Sequence, residues 1–227
     1  MAVEKLDIAQ EASKLLQPFQ VTDLGYMDDF AVSVFICQGA IEWHKHTDQD
    51  ELFLVQSGLI TLETEWGKTR LRPDEMAMAP KGVAHRSSSF LWSTVLLFRP
   101  QVMSHRKNGD RRMEGFPEKK ALHKVSVARV ASQLTEPFKP VSLAKVEDCI
   151  MRLSLIQGTS PWHCHRLHDK LFLVFEGEIT LDLQEQTLLL ESGEMAIVPK
   201  GILHRTTASG RAVVLQFEKK ALIRAGG

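Results

Sequence analysis

The sequence predicts an all-β protein of two tandem jelly-roll β-barrels, each entered through a short N-terminal helix. Three observations carry that reading. The chain repeats itself at an offset of 119 residues: Trp43-His44-x-His46 returns as Trp162-His163-x-His165, and Pro80-Lys81-Gly82 as Pro199-Lys200-Gly201. A period this long marks a duplicated domain and not a solenoid unit. Within each copy, short apolar or alternating segments are split by glycine-bearing turns, the pattern of jelly-roll barrels. Ahead of each set of strands lies one stretch of helical periodicity.

The elements follow in order. Residues 4–17 place Leu6, Ala9, Ala12, Ser13 and Leu16 at three- and four-residue spacing, an amphipathic helix closed by Pro18. Its counterpart is about 124–136, closed by Pro137, and Ala131-Ser132 and Pro137-Phe138 repeat Ala12-Ser13 and Pro18-Phe19. From Ala31 onward the pattern is β. Leu52 to Val55 is apolar at every position, so both faces of that strand should be covered, whereas Ile60-Thr61-Leu62-Glu63 alternates as a half-buried strand does. Met76, Met78 and Met195 suit core filling. Gln101 to Lys120 carries Arg106, Lys107, Arg111, Arg112, Lys119 and Lys120 around Asn108-Gly109-Asp110. With no aromatics interleaved it suits a solvated linker better than a polyanion contact. The expected domains are therefore 1–115 and 116–227, each of roughly 110 residues and large enough for its own core.

Composition narrows the partners. Lysine plus arginine equals aspartate plus glutamate at 28 each in 227 residues. Nothing electrostatic recommends nucleic acid or an anionic membrane. The N-terminus is charged early and lacks the apolar core of a signal peptide, and no apolar run is long enough to span a bilayer. The three cysteines, Cys37, Cys149 and Cys164, form no spaced framework and suggest a reducing compartment. A cytoplasmic protein is the expectation.

The chemistry concentrates in Trp43 to Gly58. His44 and His46 lie two apart, so on a strand both imidazoles point to one face. Glu51 opens the next apolar run, which Ser57-Gly58 closes as a turn. Further on, Pro80-Lys81-Gly82 forces a tight turn that delivers His85 onto a following strand. Imidazoles and a carboxylate gathered from adjacent strands make a first-row metal site with open positions, and iron, manganese, nickel, cobalt and zinc all accept these ligands. The competing reading is four polar barrel residues satisfying one another, which is costly in a buried setting unless every group is paired.

These residues resemble the two motifs of the cupin family. Gly39, His44, His46, Glu51 and Gly58 stand in the order of the first motif, and Pro80, Gly82 and His85 in that of the second. Asp74 takes the place of the second motif's leading glycine. The resemblance covers nearly the whole chain as a two-domain bicupin. It implies that His44, His46, Glu51 and His85 bind one divalent transition metal inside the first barrel. It also implies a small-molecule substrate or ligand, and either a monomer whose fused halves form a pseudo-dimer or a homodimer.

The second copy keeps His163, His165 and His204 but has Lys170 where the first has Glu51. A protonated lysine offers no lone pair and repels a dication. The second site is thus either a three-histidine metal site or a decayed one in which the ammonium replaces the metal's charge. His168 and Asp169 lie in the same connection without occupying motif positions, and Cys164 should point away from the flanking histidines. Phe53 and Val55 share the parity of Glu51 and are the expected pocket-lining residues; Trp43 and Trp162 should face away from the metal.

Cupins with these ligands include oxygenases, isomerases, decarboxylases and lyases. The resemblance therefore implies a metal-dependent dioxygenase or isomerase/lyase acting in the first barrel. The alternative is a non-catalytic cupin that binds a small ligand or is structural. No nucleophile elbow, P-loop or dinucleotide fingerprint is present.

Overall fold

The computed structural model describes residues 2–102, 106–108 and 122–220. The chain divides into two compact units, Leu6–Gln133 and Met1–Lys5 with Leu134–Gly227. The expected boundary at 115/116 lies outside the described residues. Relative to the expected halves, residues 122–133 group with the first unit and the extreme N-terminus with the second.

The first barrel contains helix α1 (Ile8–Ser13) and strands β2 (Thr22–Met27), β3 (Phe30–Ala40), β4 (His44–His46), β5 (Glu51–Ser57), β6 (Ile60–Thr64), β7 (Gly67–Leu71), β8 (Glu75–Ala79), β9 (His85–Pro100), β10 (Arg106–Asn108) and β11 (Lys124–Ser126), then helix α2 (Val127–Ala131). The long strand β9 is its hub, pairing antiparallel with β3, β4, β5 and β6. The second barrel contains β12 (Val141–Val146), β13 (Cys149–Thr159), β14 (Lys170–Glu176), β15 (Glu178–Leu183), β16 (Thr187–Glu191), β17 (Glu194–Val198) and β18 (His204–Lys219). There β18 is the hub, pairing with β13, β14 and β15. The bounds of β2, β3, β5, β8 and β9 recur in β12, β13, β14, β17 and β18 at the 119-residue offset.

Both helices are shorter than the periodicity suggests, because each is capped late. The Asp7 carboxylate accepts from the amides of Ala9 and Gln10 at 2.8 and 3.1 Å, and Ser126 Oγ accepts from the Arg129 amide at 3.3 Å. A cap with extended backbone stops the helix from beginning earlier. The residues before each cap are strands instead: β1 (Lys5–Asp7) ahead of α1, and β11 ahead of α2, paired with β8. In the second unit Val3 exchanges backbone bonds with the Gln186 side chain at 3.1 and 2.7 Å, and Lys5 meets Glu194 at 2.9 Å.

The first core gathers Phe35, Phe53, Val55, Ile60, Leu62, Leu71, Val95 and Leu97, and the second gathers Phe172, Val174, Ile179, Leu181, Leu190 and Val214. Each such side chain contributes about 1.5–3 kcal/mol by leaving water. Leu52 to Val55 is buried throughout, as an unbroken apolar run requires. Met76 and Met195 are fully buried.

Two turns are dictated by backbone conformation. At Gly58 (φ +83°) a Cβ would stand 2.8 Å from Ser93 Cα, so only glycine fits between β5 and β9. At the leading position of the second motif, Asp74 adopts φ +65° where the second copy has Gly193 at φ +88°. The turn therefore demands the left-handed region in both copies, and aspartate tolerates it better than most side chains.

Part of the stretch read as a linker is strand. Arg106–Asn108 forms β10 and pairs with β4 in the register Arg106↔His46 and Asn108↔His44. Residues 103–105 and 109–120 of that stretch lie outside the described residues.

Candidate metal centre

In the first barrel, β4 presents His44 and His46, β5 begins at Glu51, and the Pro80–Ala84 turn delivers His85 to the start of β9. His44 and His85 are direct cross-strand partners, their rings 4.5 Å apart. All four side chains are buried, and one ligand atom from each lies within 4.8 Å of the others.

The geometry assigns the imidazole tautomers. Nδ1 of His44 lies 2.8 Å from the Glu42 carbonyl and Nδ1 of His85 lies 3.0 Å from that of Val83. A carbonyl only accepts, so each Nδ1 carries the proton and donates, leaving Nε2 for the centre. His85 Nε2 lies 2.9 Å from Glu51 Oε2, and His46 Nε2 lies 3.4 Å from the same oxygen. A nitrogen lone pair that close to a carboxylate oxygen is repulsive unless a cation, proton or metal, sits between them. Burial alone would raise the Glu51 carboxyl, but hydrogen bonds and charge from His46 and His85 hold it well below the ordinary carboxylate range. His46 Nδ1 is buried without a hydrogen-bond partner. Three imidazoles and one ionised carboxylate converging in a buried site fit a first-row divalent ion.

The centre forms one wall of a cavity of about 270 Å³ whose apolar lining is Phe19, Val21, Phe35, Ile41, Phe53 and Leu97, with Ser87 and Arg99 as further polar residues. Phe53 therefore stands where its parity placed it. Val55 does not: it points the same way but one step further along β5, where it is fully buried in the packed core and absent from the cavity wall. Trp43 faces outward as expected, with the Arg86 guanidinium 5.2 Å from its ring, and Arg205 lies 4.8 Å from Trp162 in the same way. The pairs are outer-surface stacks and not core, and Trp162 is 43% exposed.

The second barrel brings His163, His165 and His204 together with the same local logic. Nδ1 of His163 and His204 face the carbonyls of Pro161 and Ile202 at 3.0 and 2.9 Å. His163 and His165 are only half-buried, and His163 joins the sheet through an isolated bridge to His204 and not through a strand like β4. Burial, reinforced by Lys170 for each, lowers His165 and His204 to about 4, so both imidazoles are neutral at pH 7. Nε2 of each is buried without a hydrogen-bond partner.

Glu218, which motif reading missed, stands beside this site and groups with His165 and His168 within 4.8 Å, not with His163 and His204. It lies on β18 directly across from Lys170 on β14, with Oε2 3.5 Å from Lys170 Nζ, 3.7 Å from His168 Nε2 and 3.9 Å from His165 Nδ1. Its other oxygen takes Arg152. Burial lowers the Lys170 ammonium and Glu218 opposes that shift. The signal available in the sequence was the 119-residue offset, which matches Glu218 with Arg99. Asp169 accepts from the Lys200 amide at 2.9 Å and so holds the Pro199–Gly201 turn, as Asp50 does for Lys81.

A cupin-domain family model matches residues 152–217. The uncharacterized protein YdbB of Bacillus subtilis (strain 168) is 35% identical over 92 residues, 40% of this chain and 81% of that protein. Among solved structures, a cupin 2 conserved barrel domain protein from Leptotrichia buccalis aligns over 97% of this chain and 98% of its own, with TM-score 0.73 and 13% identity. A salicylate 1,2-dioxygenase from Pseudaminobacter salicylatoxidans aligns over 96% and 84%, with TM-score 0.76 and 11% identity. At these identities the structural likeness is one of fold. No helix among the described residues is long and apolar enough to cross a membrane.

Proposed function

The chain belongs to the cupin superfamily, and from that premise we propose that it is a metal-dependent enzyme acting on a small organic molecule in its first barrel, of the dioxygenase or isomerase/lyase type. The observation that carries this reading is the convergence of His44, His46, Glu51 and His85 on the wall of an apolar cavity. These four residues would hold one divalent ion of iron, manganese, nickel, cobalt or zinc. Such an ion supplies Lewis acidity or redox capacity next to positions left open for substrate.

The chain's own residues do the rest. The Glu42 and Val83 carbonyls fix the tautomers of His44 and His85 before any ligand arrives, which lowers the ordering cost of binding. Glu51 cancels half the charge of a dication. Phe35, Phe53 and Leu97 exclude water from the reacting face and offer an apolar bed to the substrate body.

His163, His165 and His204 are proposed as a weaker, carboxylate-free site. Lys170 and Arg152 outnumber Glu218 beside it, which disfavours a second dication. Catalysis is therefore assigned to the first barrel.

Elemental analysis of protein purified without chelator, with an oxygen-uptake screen over small aromatic and carbonyl compounds, tests the proposal. One equivalent of metal, lost in the His46→Ala/His85→Ala double variant together with any turnover, is the expected result. Full metal content in that variant would refute the ligand assignment. Metal without turnover on any class of compound would favour a non-catalytic binding role.

A further inference from the structure

Arg99 lines the first cavity yet belongs to neither motif and is no candidate ligand. It is the one lysine or arginine among the described residues lining that cavity, and its side chain is 13% exposed. Its guanidinium is braced from behind. Nη2 donates to Asp23 Oδ1 at 2.8 Å, and Nη1 donates to the carbonyls of Pro100 and Gln101 at 3.2 and 3.4 Å. Asp23 is itself held, its Oδ1 accepting from Ser33 Oγ at 2.6 Å and its Oδ2 from Tyr26 at 3.0 Å. These contacts all fall on the two Nη nitrogens, and none among the described residues falls on the Nε–H, which together with an Nη2–H can bind a carboxylate bidentately.

We propose that Arg99 makes the first cavity selective for a small organic monoanion, a carboxylate on an apolar body. This rests on reading the first barrel as a metal-binding small-molecule site. Charge supports it: with a dication in place, Glu51, Asp23 and Arg99 leave one net positive charge around the cavity, which a monoanion cancels. Size supports it as well, since about 270 Å³ holds on the order of nine water-sized groups. The lining supplies the apolar bed through Phe19, Phe35, Phe53 and Leu97. The second barrel has no equivalent, because the position matching Arg99 is Glu218, already engaged with Lys170 and Arg152.

The test compares acids with isosteric amides on the cobalt(II)-loaded protein: isobutyrate against isobutyramide, and benzoate against benzamide, followed by calorimetry and by the visible cobalt spectrum. In the wild type at least one acid should bind tenfold or more tighter than its amide. Arg99→Gln should abolish that preference with cobalt content unchanged, and Arg99→Lys should retain part of it. Equal affinity for acids and amides, or no binding of either acid, overturns the proposal. So does a preference that survives Arg99→Gln, since it then comes from the metal. Cobalt stoichiometry reads the metal assignment separately. A first site that holds no cobalt overturns the metal assignment and this proposal with it, since Glu51, Asp23 and Arg99 alone leave a net negative charge.

Discussion

Lys170 and Glu218 face each other across β14 and β18, Nζ 3.5 Å from Oε2, at the two positions where the first barrel carries Glu51 and Arg99. The acid and the base have exchanged strands between the two copies. In the first barrel the carboxylate stands among the imidazoles and the cation stands back on Asp23. In the second barrel the ammonium takes the carboxylate's motif position, and Glu218 with Arg152 surrounds it.

This exchange predicts unequal metal binding. A charge of like sign about 4 Å from a dication costs about 8 kcal/mol at an effective dielectric of about 20. The wild type should hold one tight equivalent, and Lys170→Glu should raise affinity at the second site tenfold or more. Glu218→Gln should instead destabilise the fold by roughly 3 kcal/mol, because it strands a buried ammonium beside Arg152. Metal titration and urea unfolding of the three proteins read both effects. Two equivalents of equal affinity in the wild type, unchanged in Lys170→Glu, would contradict the charge argument.

Metal at the first site should also stabilise the fold. Adding zinc or manganese at a hundred times its dissociation constant contributes about 2.7 kcal/mol to the wild type. Glu51→Gln should weaken that metal more than tenfold, and His46→Ala/His85→Ala should show no metal-dependent rise in Tm. Thermal unfolding with and without metal, in chelator-treated protein, makes the comparison.

Much of this was legible before the fold was known. A side chain's face follows from strand parity, so His44, His46, Glu51 and Phe53 could be placed by counting, and the turn chemistry of Pro80 and Gly82 delivered His85. The duplication carried the strand bounds across to the second copy. Parity does not reveal depth, which is why Val55 shares a face with Phe53 and yet is packed in the core away from the residues lining the cavity. Neither did motif reading reveal cross-strand partners distant in sequence. Glu218 meets Lys170, and Arg99 meets Asp23, only through register. The helix lengths were overestimated because three- and four-residue spacing continues through residues that the Asp7 and Ser126 caps leave in strands.

Asp74 offers a test of turn strain. It holds φ +65° in a turn fixed on both sides, its amide donating to Val55 and its carbonyl accepting from Val127. Gly193 occupies the matched turn without that penalty. Asp74→Gly should therefore stabilise the first barrel by about 1 kcal/mol, the left-handed cost offset partly by a more flexible unfolded chain. Equilibrium urea unfolding measures the change, and a loss of stability would mean the Asp74 side chain supports the turn more than its backbone strains it.

Cys37 should make stability fall at alkaline pH. Its thiol is fully buried in the first core, and burial pushes it from 9.0 up to about 11, with a hydrogen bond to Ser87 pulling slightly the other way. The fold thus favours the neutral thiol, whereas in the unfolded chain the thiol ionises about two pH units earlier. The associated stability is complete below pH 9 and is lost as pH rises toward 11, an effect of about 2–3 kcal/mol. Unfolding free energies measured from pH 8 to 11 should fall more steeply for the wild type than for Cys37→Ala, which lacks the titrating group. The same burial should keep Cys37 unreactive toward a thiol reagent until the protein unfolds. Parallel pH profiles for the two proteins would show that Cys37 ionises in the folded barrel as it does in the open chain.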